Sequence, residues 1–329
     1  MSGPTGIDIL AADDRYGARL ATCRTRARAR TGAMSGDLDR IASRLAGDFA
    51  GRRYAAIPPA WRDEGRRRAA EDDVAARQWF HSLLAAFIAS HEHYLSRFHA
   101  VPLLLASYAV EFERILDWMD AEEGQVRGES FGFDDDVFLK DLGLVSGRLI
   151  PCLTRVGDPY GGLPRRAMLG SAQGILRMLP YALLSGGGFW PYLEIHVHKP
   201  MWDRLRGRVD GEVWRKAYRL MAAAIEALPD LRGITAASWL WDGALSEVSP
   251  HLHIHRQIAE AHGARFLDLG CDEETRISAL ARSERRRELC RQGRYQPRRV
   301  LMVWSRRDLL RWARDSCLPH VAIETRPER

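Results

Sequence analysis

From residue 190 onward the chain alternates segments of strand character with segments of helix character, and this order restricts the fold more than any other feature. Tyr192-Leu193-Glu194-Ile195-His196-Val197-His198 alternates apolar and polar residues with the period of two that marks a half-buried strand. A loop at 199–210 follows, then a helix at 211–228 that opens on Gly211-Glu212 and closes at Pro229-Asp230. A strand at 233–241, a helix at 244–262 and a strand at 265–269 come next. Such alternation predicts a sheet layered by helices. Beyond it the sequence predicts a basic helix at 274–292, a turn from Gly293 to Pro297, a strand at 299–304 and a last helix at 308–315.

The first half has a different period. Val74, Trp79, Leu83, Leu84, Phe87, Ile88, Tyr94 and Leu95 keep helical spacing over 71–98, and Pro102 separates this run from a second helix at 103–121. The short link makes the two helices expected antiparallel neighbours. Leu38, Ile41, Leu45 and Phe49 predict a short helix over 36–53, residues 134–142 a helical turn, and 175–184 a further helix. Residues 148–153 predict a strand, and Gly157-Asp158-Pro159-Tyr160-Gly161-Gly162 a turn. The expected class is therefore α+β or α/β, with a helical N-terminal half and a C-terminal mixed β-sheet layered by helices. Three regions are expected: a basic N-terminus at 1–35 without fixed order, a helical region at 36–145, and an α/β region at 146–329.

Charge and cysteine content narrow the function classes. The net charge of +6 comes from arginines grouped at 15–30, at Arg66-Arg67-Arg68 and between Arg282 and Arg299. Solvated helix faces account for such groups, and so does an anionic ligand. No nucleic-acid-binding motif accompanies them, so a small anionic cofactor is preferred to DNA or RNA. The five cysteines are widely spaced and form no CxxC pair, which argues against a disulfide framework and points to a reducing cytoplasm. No apolar run approaches the roughly 18 residues of a membrane span, and no secretory leader is read at the N-terminus.

The candidate chemistry centres on the strand at 192–198. Residues two apart on a strand share a face, so Glu194, His196 and His198 are expected together, opposite Leu193, Ile195 and Val197. Three such groups on one face suit a general base beside a substrate, or two imidazoles and a carboxylate around a transition metal. An edge strand showing polar residues to water gives the same pattern. His251 and His255 lie four apart after Pro250 and would share a helix face, as metal-binding pairs do, although no HExxH motif is present. Trp239 and Trp241, read on a strand, would share a face as core or as the wall of a substrate pocket.

Arg204-Leu205-Arg206-Gly207-Arg208-Val209 lies between a strand and a helix, where backbone N–H groups and arginines bind phosphate. With the strand, basic loop, helix, strand, helix, strand order of residues 190–270, it resembles the GNAT acyltransferase fold. That family's pyrophosphate loop reads Gln/Arg-x-x-Gly-x-Gly/Ala. Arg204 to Arg208 match its first five positions, and Val209 departs at the last. The segment at 244–266, a helix and then Gly263-Ala264-Arg265-Phe266, resembles the family's closing helix and Gly-aromatic segment. The resemblance covers about a quarter of the chain. It implies acyl transfer from an acyl thioester such as acyl-CoA to an amine of a small molecule. Glu194 or His196 would be the base, and Arg204, Arg206, Gly207 and Arg208 would hold the cofactor. The alternatives are a metal-dependent oxygenase or hydrolase built on His196 and His198 with Glu194 or with His251 and His255, and a non-enzymatic basic binding protein.

Overall fold

The structure, a computed structural model, describes residues 15–31, 47–48, 53–122, 132–161, 179, 191–204 and 211–316. Helix α1 (Tyr16–Thr31) packs against α3 and α4 of the helical layer: α2 (Pro59–Glu71), α3 (Asp73–Ala89), α4 (Pro102–Glu122) and α5 (Asp136–Val145). The sheet strands and their helices follow: β1 (Ile150–Cys152), β2 (Arg155–Gly161), β3 (Tyr192–Val197), α6 (Lys199–Arg204), α7 (Gly211–Ala227), β4 (Gly233–Ser238), α8 (Pro250–Ala261), β5 (Arg265–Gly270), α9 (Glu273–Leu280), α10 (Glu284–Arg291), β6 (Arg299–Ser305) and α11 (Arg306–Asp315). The class is mixed α+β. No helix among the described residues is long and apolar enough to cross a membrane.

The expected lack of order in residues 1–35 is corrected for residues 16–31. Leu20, Cys23, Ala27 and Thr31 recur at helical spacing and are buried. The arginines between them ion-pair with acids: Arg19 with Glu113, Arg24 with Glu92, Arg26 with Asp117 and Asp120, and Arg30 with Asp120. This N-terminal arginine group therefore fixes a helix rather than awaiting an anion. The expected helix at 71–98 starts at Asp73, where the Asp72 carboxylate accepts the Val74 N–H and caps α3, and ends at Ala89; short turns at Glu92–Leu95 and Ser96–Phe98 cover the rest. The expected helices at 36–53 and 175–184 lie largely or almost wholly outside the described residues.

The six strands run in the order β1-β2-β3-β4-β6-β5. Neighbours pair antiparallel except β3 and β4, which pair parallel. Residues 157–161 of the expected turn instead belong to the strand β2. Gly157 permits this, because a Cβ there would meet Leu193 at 2.6 Å across the ladder. The chain reverses between β1 and β2 at Leu153, which takes φ +59°. The sheet's α7 face carries Leu193, Ile195, Ile234, Met302 and Trp304, which join residues of α1, α3, α4, α7 and α11 in one apolar cluster. That core is continuous across the expected boundary at residue 145.

Two predicted helices are broken by caps. Ser249-Pro250 separates a short turn at Leu245–Val248 from α8. Ser283 accepts the Arg286 N–H and starts α10 separately from α9. The arginines of this region pair locally, Arg287 and Arg291 with Glu284, Arg298 with Asp268 and Arg299 with Asp272.

Candidate functional site on strand β3

Glu194, His196 and His198 do project to one side of β3, but they meet three different environments. The segment Arg53-Tyr54 and helix α5 cover this side. Val156, opposite His196 in the ladder, packs with Tyr54, Leu144 and Leu149. Asp135 caps α5 by accepting the Phe138 N–H at 2.7 Å, which fixes where Asp136, Lys140 and Asp141 leave the helix.

Glu194 is at the open end, with 24% of its side chain exposed. Arg53 donates from Nη2 to its Oε2, while Oε1 lies 3.8 Å from His196 Nε2. Asp158 is directly opposite Glu194 across the β2–β3 ladder, and Arg53 Nε reaches its Oδ2 at 3.5 Å. One guanidinium thus bridges two facing carboxylates, an arrangement that offsets their mutual repulsion. Asp158 is fully buried, and burial pushes its carboxyl up despite Arg53 and the N–H groups of Tyr160 and Tyr54.

Room for Glu194 depends on Gly161. The β2–β3 register shifts between Asp158 and Gly161, and a Cβ at 161 would fall on the Glu194 Cβ. Gly161→Ala is therefore expected to move the Glu194 carboxylate and to cost about 1–3 kcal/mol of stability. Denaturant unfolding measures the cost, and unchanged stability together with wild-type activity would refute this packing.

His196 lies between Glu194 and α5. Its ring meets Tyr54 edge-on at 5.2 Å, and the Tyr54 hydroxyl donates to Asp136 at 3.3 Å. Burial, aided by Lys140 and Arg53, pushes the imidazole down to about 3, and its buried Nε2 makes no hydrogen bond among the described residues. It is a neutral and weak base.

His198 is a different kind of group. It is fully buried, with Nδ1 3.5 Å from Glu111 Oε1 on α4 and Nε2 3.5 Å from Asp141 Oδ1 on α5. Arg114 ion-pairs with both carboxylates. A neutral imidazole has one N–H and would turn a lone pair toward one of the acids, so this geometry calls for the imidazolium. Burial opposes that charge, but Glu111 and Asp141 outweigh it and raise the group. Two cations and two anions then balance. The expectation that His198 lines a reactive site with Glu194 is thus corrected: it braces α4 and α5 against the end of β3.

The tryptophan pair is also corrected. Ser238 Oγ accepts the Leu240 N–H and turns the chain out of β4 into a short 3-10 turn, Trp239–Trp241. Trp239 lies under Arg286 and donates to Ser278 Oγ at 3.0 Å, whereas Trp241 is buried against His255. The two rings share no wall. His251 and His255 likewise part, His251 exposed and His255 buried, stacked on Trp214 and donating to the Leu240 carbonyl. Among the described residues no group of three His, Cys, Asp or Glu side chains could hold a metal ion. Arg206, Gly207 and Arg208 lie outside the described residues, and of Arg204 only the backbone, at the end of α6, is described.

Sequence reasoning missed Arg53, Tyr54 and Asp158. Asp158 was hidden in a turn-like Gly/Pro context, and Arg53 lies 141 positions before Glu194. Only the strand assignment of 155–161 would have brought Asp158 opposite Glu194.

The sheet opens beside this site. Leu193 pairs with Ile234 and Glu194 with Thr235, and among the described residues the β3–β4 register goes no further. Beyond it, β3 continues to Val197 along β2, and β4 continues to Ser238 along β6. The two halves of the sheet thus part toward the carboxyl ends of the parallel strands, where Val197 is exposed and Ala237 and Ser238 are half-buried. No protein-family model matches the chain, and no curated protein or solved structure gives a significant match.

Proposed function

We propose that this chain is a GNAT-like transferase that moves an acyl group from an acyl thioester, such as acyl-CoA, to an amine of a small molecule. The observation that carries this reading is the parting of β3 and β4 after two paired residues. Ligands of open sheets bind outside the carboxyl ends of parallel strands, where the connections diverge to either side. A slot between two parting strands presents backbone N–H and C=O groups to the amide-bearing arm of a CoA thioester. Helix α7 begins at Gly211, shortly after the basic sequence at 204–208, so its N-terminal N–H groups favour the pyrophosphate. Arg204, at the end of α6, and the following Arg206, Gly207 and Arg208 are the residues assigned to that group.

Glu194 is the base in this reading. It stands at the last position of β3 that pairs with β4, partly exposed, with Arg53 on Oε2. The amine loses a proton to Glu194, directly or through water, as its nitrogen bonds to the thioester carbonyl carbon. The tetrahedral oxyanion is stabilised by strand N–H groups, and the C–S bond then breaks as the thiolate takes up, directly or through water, the proton that Glu194 has received. His196, held neutral and weakly basic, contributes an uncharged wall beside Glu194. Trp241 has no part in the pocket, because it packs in the core.

Thermal unfolding with acetyl-CoA tests the reading. A ligand present at 100 times its Kd stabilises by about 2.7 kcal/mol, and a rise of roughly 5 °C or more is expected. No rise with any acyl-CoA, together with a rise on adding a transition metal, would favour the metal-dependent alternative. Salt-sensitive binding to generic DNA or RNA instead would favour a basic binding protein.

A further inference from the structure

We propose that Asp158 is a positioning residue for Glu194, acting on it together with Arg53 to fix which carboxylate oxygen is held by the guanidinium and which lies beside His196. The inference rests on the acyl-transfer reading for its activity readout but on geometry alone for its mechanism. Asp158 and Glu194 face each other across the ladder, and Arg53 contacts Oδ2 of one and Oε2 of the other. Asp158 is buried and tied to its own strand: Oδ1 accepts the Tyr160 N–H at 2.9 Å within the irregular stretch of β2. Arg53 therefore has one anchored anion behind it and one movable anion in front. That pull holds Oε2 of Glu194 against the half-exposed guanidinium and leaves Oε1 beside the buried Nε2 of His196.

The charged and titratable groups around the pair come from every packed element. Arg53 and Tyr54 belong to the covering segment, and Tyr54 donates to Asp136 of α5, which also ion-pairs with Lys140. Arg148 approaches from beside β1, donating to the Tyr54 carbonyl at 3.1 Å and feeling the Asp158 charge. Tyr160 and His196 belong to the strands. Arg53 contacts both carboxylates, so it adds to the direct repulsion between the facing charges of Asp158 and Glu194 a shared counter-ion that links them.

Carboxyl titration by NMR of 13C-glutamate-labelled full-length protein provides the test, with the Glu194 resonance identified by its loss in Glu194→Gln. In Asp158→Asn the neighbouring negative charge is gone and Arg53 serves Glu194 alone. The Glu194 resonance is then expected to titrate at lower pH than in the wild type, and the acid limb of the kcat/KM profile to move down with it. Arg53→Gln severs the same link from the exposed side, and there the titration is expected to move to higher pH. It serves as the second variant if Asp158→Asn does not fold. Unchanged Glu194 titration in the folded variants would overturn the proposal. Shifted titrations in a protein that transfers no acyl group would support the coupling and overturn the acyl-transfer reading, so the two failures are distinguishable.

Discussion

Glu194→Gln is expected to lower CoA-dependent acyl transfer about 10²–10⁴-fold, the usual contribution of a positioned general base. The amide keeps the shape of the side chain and an acceptor for Arg53 but cannot take the amine proton. The fold should tolerate the change. Arg53 is half-exposed, and an ion pair of this kind contributes about 0–1 kcal/mol. A loss in kcat with a melting temperature close to wild type is the expected signature. Equal activity in the two proteins would remove Glu194 from the chemistry, whereas a parallel loss of activity and stability would mark it as structural.

His198 is expected to show the largest effect on stability. His198→Gln leaves Glu111 and Asp141 buried with one cation, Arg114, between them. Breaking a buried charge set in this way costs about 3–5 kcal/mol, a large part of the 5–15 kcal/mol that holds a typical domain together. Chemical denaturation measures it, and a loss below 1 kcal/mol would contradict the imidazolium assignment. The pH dependence has a definite sign. His198 is raised in the folded protein, so its stabilisation is fully present below the unfolded histidine range and fades as pH rises through the folded value. Glu111 is lowered, against its burial, by His198 and Arg114, so its stabilisation is present above the unfolded glutamate range and is lost in acid. Stability from this set is therefore greatest between the two ranges. The alkaline decline should be missing from His198→Gln.

The part of the fold governed by strong local periodicity was readable in the sequence. β3, α7, β4, β5 and β6 begin and end within a few residues of their expected positions, because their apolar residues recur at strand or helix spacing. Elements whose identity depends on partners were not readable. β2 carries Gly157, Pro159 and Gly161, the residues of a turn, and becomes a strand because β3 needs a partner that does not collide with Leu193 and Glu194. Helix α1 buries mostly small residues between arginines, and the acids that pair with those arginines, on α4 and beside α3, lie 68 to 94 positions away.

The same division holds at the site. Alternation placed Glu194, His196 and His198 on one face of β3. It carried no information about what covers that face, and the cover gives each residue its character. Arg53 and Asp158 meet Glu194, Tyr54 meets His196, and Glu111, Arg114 and Asp141 enclose His198. The tryptophans were misassigned for a local reason: Ser238 caps the turn that ends β4, and two residues that alternate on paper then point apart.

Hydrogen–deuterium exchange of the wild-type protein with and without acetyl-CoA tests most directly whether the parting of β3 and β4 receives a thioester. Slower exchange is expected in peptides covering 195–198 and 236–239, with a second protected region at the start of α7. Unchanged exchange across both strand ends at saturating acetyl-CoA would contradict it.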